Sequence, residues 1–153
     1  MTSGDELRFA MRRFPSGIAV LTLPVPYGVT IGSLVSLSLE PALVGVSIGH
    51  EAQAHELVRE AGGFAVNVLA GDQEGVAQHF ARSVPPIAQW VGIDSRPGRY
   101  GPLLDGALAW LECAVRSEHE AGDHTVFVSS VESVELGRAG QGLVYRDGRY
   151  HAA

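Results

Sequence analysis

The chain has 153 residues, 46% of them hydrophobic and 18% charged, a size that favours one compact domain with a sizeable core. Eleven Lys and Arg against 17 Asp and Glu leave a formal charge of −6, so an acidic chain without a basic run is no candidate for binding a phosphate backbone, and nucleic acid is not an expected partner. Cys113 is the only cysteine, which excludes an intramolecular disulfide and a cysteine-based zinc cluster.

The N-terminus carries Asp5 and Glu6 and lacks the basic-then-apolar order of a signal peptide. Ser3-Gly4-Asp5-Glu6 reads as a capping box. Leu7, Ala10, Met11 and Phe14 then recur at helical spacing, and Pro15 is expected to end that first helix. From Phe14 to Leu39 no residue is charged, a length that invites a membrane helix. Pro15, Pro24, Pro26 and Gly28 interrupt the stretch, and its Ser and Thr residues would need partners in lipid. Strands joined by a turn are expected instead, in a cytoplasmic chain that does not enter a membrane.

Gly17 to Leu23 reads as a buried strand, and Pro24 to Gly28 as a turn. Val29 to Leu39 mixes aliphatic and hydroxyl residues around Gly32, and glycine within a strand marks a bulge or a close approach. Leu43 to Ile48 is a further strand, Ala52 to Ala61 a helix stopped by Gly62-Gly63, Phe64 to Leu69 a strand and Gln73 to Ala81 a short helix. Arg82 to Leu104 reads as a long loop. Ala107 to His119 alternates, with Ala107, Ala109, Leu111, Cys113 and Val115 on one face. Thr125 to Leu136 is a second long strand, and Asp147-Gly148 a tight hairpin turn. Six or seven strands with two or three helices point to a β-barrel with peripheral helices in a single domain, residues 1–153.

Several motifs have ordinary explanations. His50 and His55 stand five positions apart, whereas two ligands on one helix face need four. Gly137 to Gly142 lacks the strand-then-helix setting of a dinucleotide fingerprint. Cys113 reads as core packing, and Trp90 and Trp110 as packing or interface residues. Three features remain. Thr30, Ser33, Ser36 and Ser38 surround Gly32 with hydroxyls, as an ordinary edge strand would or as the wall of a site where a flat polar ligand meets exposed main chain. In Gly122-Asp123-His124 the carboxylate can orient the imidazole, unless the loop is merely a surface hairpin. Asn67 interrupts an apolar strand, so its amide needs a buried partner.

Taken in order, Phe9 to Gly17, Gly28 to Pro41, Gly63 to Ala70, His79 to Ala81, Pro102 to Cys113, Gly122 to Phe127 and Leu143 to Tyr150 resemble the flavin reductase-like family over nearly the whole chain. The Thr-x-x-Ser-x-x-Ser strand and Gly-Asp-His are the most specific elements. The resemblance implies a mainly β, Greek-key split barrel of the FMN-binding type. It also implies a homodimer and an NAD(P)H:flavin oxidoreductase, using NADH or NADPH to reduce FMN or FAD and supplying reduced flavin to a partner monooxygenase. Thr30, Ile31, Gly32, Ser33 and Ser36 would line the flavin ring and ribityl chain, Ser47, Ile48 and Gly49 its tail, and His124 would stand close to flavin and nicotinamide. One departure is plain. Many relatives carry Ser-x-Thr where this chain has Ala52-Gln53-Ala54, so Gln53, His50 or Arg82 would have to replace two hydroxyls at the flavin phosphate. The alternative is a split-barrel protein that holds flavin or another planar ligand without redox turnover, or a biosynthetic enzyme that has lost reductase activity.

Overall fold

In the computed structural model, which describes residues 1–153, the chain opens with helix α1 (Gly4–Met11). Its first strands are β1 (Ser16–Gly17), β2 (Ala19–Leu23), β3 (Tyr27–Ile31), β4 (Val35–Leu39) and β5 (Ala42–Gly49). Helix α2 (Gln53–Ala61), strand β6 (Gly63–Val68) and helices α3 (Glu74–Phe80) and α4 (Pro86–Gln89) follow. The remainder is β7 (Ser95–Arg96), β8 (Leu103–Leu104), β9 (Ala109–Ala121), β10 (His124–Leu136), β11 (Leu143–Arg146) and β12 (Arg149–Ala152). Seven strands form one antiparallel sheet in the order β3-β2-β6-β9-β10-β5-β4.

Two apolar clusters share β2, whose five residues are all buried. Ala19, Leu21 and Leu23 join Ile31, Val46, Ile48, Phe64, Val66, Cys113 and Phe127 inside the curled sheet. Val20 points the other way and joins Ile18, Leu69, Ala77, Phe80, Leu104 and Leu143. Burial on both faces explains why this strand is apolar at four of its five positions instead of alternating, and its one polar residue, Thr22, is hydrogen-bonded to Pro102 O and Asn67. Gly28 is the close approach that seats α3: a Cβ there would stand 2.7 Å from the Phe80 ring.

The capping box forms as expected, with Ser3 Oγ accepting from the Glu6 amide and the Glu6 carboxylate accepting from the Ser3 amide. Asp147 (φ 51°) and Gly148 (φ 78°) make the hairpin turn between β11 and β12, both with the positive φ that a type I′ turn requires. Asn67 is wholly buried and satisfied: its amide nitrogen donates to Val20 O and Thr22 Oγ1, and its oxygen accepts the Leu104 amide.

Several expectations are corrected. Helix α1 stops at Met11, short of Pro15, because the Arg12 carbonyl is taken by the Asp147 amide at 2.8 Å and the chain turns there. The helices number four, and the 82–104 stretch is not a bare loop but carries α4, β7 and β8. The run Val29 to Leu39 is two strands, because it changes partner. β3 pairs with β2 and β4 with β5, at opposite ends of the sheet order. The segment Gly32–Leu34 between them crosses the open side of the barrel.

Candidate functional site

That crossing creates a mouth whose chemistry follows from strand alternation. Main-chain N–H and C=O groups of one residue point to one edge of a strand, and those of the next residue to the other. On β3, the outer edge at Gly28 is bonded by the Gln89 side chain, which accepts from the Gly28 amide (2.9 Å) and donates to its carbonyl (2.7 Å). Two residues on, Thr30 turns its own main-chain groups to that same edge, where no strand pairs with β3. On β5, Ser33 Oγ donates to the Ser47 carbonyl (2.9 Å) and accepts from the Ser47 amide (3.1 Å). Gly49 turns its main chain to the edge that Ser47 marks, beyond Gly45, the last β5 residue that β4 reaches toward this end, but its carbonyl accepts the Ala52 amide at 3.0 Å, so its amide is the group it offers there.

The predicted hydroxyls do different work from one another. Thr30 Oγ1 donates to Ala77 O at 2.7 Å and ties α3 to β3. Ser33 and Ser47 are brought together, as above. Ser36 lies on β4 opposite Val44 and is exposed. Ile31 and Ile48 turn their side chains into the core, while Gly32 is exposed at the crossing. A Cβ on Gly32 would stand 2.9 Å from Ser16 Oγ, so the bare glycine keeps main chain accessible there.

His124 begins β10 opposite Gly49. Its Nε2 stands 3.6 Å from where a Gly49 Cβ would be, and its Nδ1 meets Asp123 Oδ1 at 2.7 Å. The hydrogen bond to His124 and the imidazole beside it hold the Asp123 carboxyl below its ordinary range, so a carboxylate accepts from Nδ1–H and Nε2 faces Gly49.

Ala52 caps α2 with no side-chain bond. Gln53 and Arg82 flank a cavity of about 540 Å³ that also reaches Tyr27, Val29, Glu51 and residues Phe80–Pro86. His50 does not aim a free ring into it: His50 Nε2 and His55 Nε2 both meet the buried Thr125 hydroxyl, at 3.2 and 2.8 Å. The two rings pack edge-on at 5.2 Å, and no cluster of three or more metal-ligating side chains forms. Sequence reasoning missed Gln89 and Thr125. Nothing local marks either one, since each acquires its role from partners remote in sequence.

An open barrel mouth with alternating main-chain donors and acceptors, walled by a carboxylate-oriented imidazole, suits the edge of a flat heteroaromatic ring. That is the class of site found in flavin-binding split barrels, and the donor set here fits a flavin, whose ring edge carries carbonyl and N–H groups in turn. The family model described as "Flavin reductase like domain" matches residues 11–153, and the chain belongs to that family.

It is 38% identical over 151 residues to the NADH-dependent FAD reductase of Streptomyces globisporus, covering 95% of this chain and 83% of that protein. It is 39% identical to the actinorhodin polyketide dimerase of Streptomyces coelicolor over 95% of this chain and 84% of that one. The reductase component of 4-hydroxyphenylacetate 3-monooxygenase from Thermus thermophilus is 37% identical, over 92% of this chain and 91% of its own. Among solved structures, the NADH:FAD oxidoreductase of Streptomyces globisporus C-1027 superposes with a TM-score of 0.92 at 36% identity, over 99% of this chain and 95% of that chain. Relatives of this chain thus include reductase components of two-component monooxygenases. No helix is long and apolar enough to cross a membrane.

Proposed function

We propose that this chain is an NAD(P)H:flavin oxidoreductase, one flavin reductase-like domain over residues 1–153, that reduces FMN or FAD and supplies the reduced flavin to a partner monooxygenase. The observation that carries this reading is the Ser33–Ser47 bond, which brings the segment after Thr30 against β5 two residues before Gly49, opposite which stands the Asp123-oriented ring of His124. When bound, a flavin would supply the redox chemistry of hydride uptake from nicotinamide. The protein's residues orient and hold. The Thr30 main chain and the Gly49 amide would offer hydrogen bonds to the ring edge, and Ser33 ties the crossing segment to β5 by bonding Ser47. His124 closes one wall and offers Nε2 to the bound pair. Because Asp123 keeps the proton on Nδ1, Nε2 is an acceptor in the neutral ring and a donor when the ring is charged.

Homodimerisation belongs to the same proposal. Helix α1 has no buried residue, although Leu7, Phe9 and Met11 are apolar and Phe9 is 67% exposed. Phe14 beyond it, and Val35, Leu37 and Leu39 on β4, are also exposed. Fully covering one such side chain contributes about 1.5–3 kcal/mol, so a second copy is the natural cover for this much apolar surface. The proposed compartment is the cytoplasm, where reduced nicotinamide is supplied.

The deciding measurement mixes purified protein with NADH or NADPH and free flavin and follows nicotinamide absorbance. Oxidation of either nucleotide that depends on the protein is expected. Flavin binding without oxidation would favour the second reading, a biosynthetic or non-redox flavin protein. That reading draws on the missing oxygens at Ala52 and Ala54 and on the likeness to a polyketide dimerase.

A further inference from the structure

We infer that Gln89 is a positioning residue that latches residues 82–93 beside the mouth as a strap, and that flavin enters and leaves at the pace at which this strap opens. The inference rests on the flavin-binding reading above and adds a control on that same site.

The strap is held at few points. Its main-chain hydrogen bonds are local, from the Val84 amide to Arg82, from Ala88 to Pro85 and from Ile93 to Trp90, and none reaches a strand. No salt bridge anchors it. Ile87 is 88% exposed and Val91 77%, and Gln89 is the one buried residue of α4. Beyond Arg82, Gln89 takes part in every hydrogen bond that joins the strap to the rest of the chain. Its Oε1 accepts the Gly28 amide at 2.9 Å and its Nε2 donates to the Gly28 carbonyl at 2.7 Å. Its own carbonyl accepts from His79 Nε2 at 2.5 Å.

The closed position is not fully satisfied. Trp90 packs its ring 5.3 Å from that of Phe80, yet its indole N–H is buried without a hydrogen-bond partner. Water meets that donor once the strap lifts. Segments with local bonding and little buried apolar surface are the ones that open first. What opening uncovers is the side of the site. Residues 81–86 line the cavity of about 540 Å³ together with Tyr27, Val29 and Gln53. Val29 adjoins Thr30, and Glu51, also in the lining, stands two positions after Gly49. A ligand crossing this side of the mouth therefore passes the strap. A lid that closes over the empty and the filled site alike slows entry and exit by one factor and leaves affinity unchanged.

The test compares the wild type, Gln89→Leu and Gln89→Glu by stopped-flow binding of FMN and of FAD without nicotinamide, and by amide hydrogen exchange of the flavin-free chain. A carboxyl group keeps the shape of the glutamine, but only its protonated form can both accept from the Gly28 amide and donate to the Gly28 carbonyl. His79 is common to all three proteins, so the wild type at each pH is the control. At pH 8 both variants should gain about tenfold in flavin association and dissociation rates alike, with Kd unchanged. Amides of residues 82–93 should exchange faster by a similar factor, and those of β9 and β10 should not. Toward pH 5, Gln89→Glu should return to wild-type rates while Gln89→Leu stays fast. If Gln89→Leu does not fold, the pH series on Gln89→Glu decides alone. Wild-type rates in Gln89→Glu at pH 8, faster exchange with unchanged flavin rates, or faster dissociation with a matching loss of affinity would overturn the gate and leave the flavin-binding reading intact. Failure of both flavins to bind the wild type would remove the two together.

Discussion

Ser33 pairs with Ser47 as a neighbouring strand would, its one hydroxyl accepting the Ser47 amide and donating to the Ser47 carbonyl. A side chain thus replaces the strand that the split in the barrel leaves missing, and it does so at the edge where the site opens. Ser33→Ala leaves a half-buried amide and carbonyl without their partner. We expect a loss of about 1–2 kcal/mol in denaturant unfolding together with weaker flavin binding. Unchanged flavin affinity in a destabilised variant would reduce Ser33 to a purely structural residue.

The contact between His124 and Asp123 separates orientation from binding. His124→Ala should lower turnover of NAD(P)H much more than it weakens flavin. Asp123→Asn should do the same to a smaller degree, since an amide no longer favours the proton on Nδ1. Steady-state rates beside flavin dissociation constants decide the matter. Equal, negligible effects on both would return Gly122-Asp123-His124 to a surface turn.

Cys113 is fully buried between β6 and β10, and burial, followed by the charge of Glu112, pushes its thiol up to about 12. Thiolate is the reactive form. The native protein should therefore give no reaction with a disulfide reagent at pH 8, and one equivalent of thiol per chain after denaturation. Rapid labelling of the native protein would contradict this packing.

Arg138 forks onto the Asp72 carboxylate and also donates to Gly106 O, joining the segment before α3 to the loops flanking β9 and β10. The hydrogen bonds from Arg138 hold the Asp72 carboxyl below its usual range in the folded state. A depressed folded value means that the contribution is complete above the unfolded carboxylate's pKa and disappears as pH falls through the folded one. Asp72→Asn should accordingly lower Tm at neutral pH, and the difference from wild type should close in acid. A constant difference at every pH would show that the effect is not ionic.

The bare apolar surface of α1 tests the dimer. The wild type should run at twice the chain mass in light scattering, and Phe9→Lys with Phe14→Lys should shift it toward the monomer with loss of flavin affinity. A wild-type monomer at micromolar concentration would refute the proposed interface.

Legibility varied with the range of the interactions. The capping box at Ser3 and Glu6 and the Asp147-Gly148 turn were readable because each is completed within a few residues. Asn67 announced that it needed partners but not which ones. Val29 to Leu39 read as continuous, because an apolar run looks the same whether its strand keeps one neighbour or exchanges β2 for β5. Gln89 lay in a stretch read only as loop, yet it bonds Gly28 across 61 positions of chain.

Composition and periodicity by themselves pointed to a mainly β barrel, and the resemblance carried by the ordered motifs to its family, since local geometry and burial pattern are written into neighbouring side chains. Which main-chain groups stand open was settled only by the folded chain. Alternation along the strands turns Thr30 and Gly49 to the edges that Gln89 and Ser33 occupy two residues earlier, and the Ala52 amide takes the Gly49 carbonyl. Such pairing joins segments whose separation no periodicity records, so hydrogen bonding across the tertiary structure, not the hydroxyl pattern, decides which main-chain groups remain unpaired.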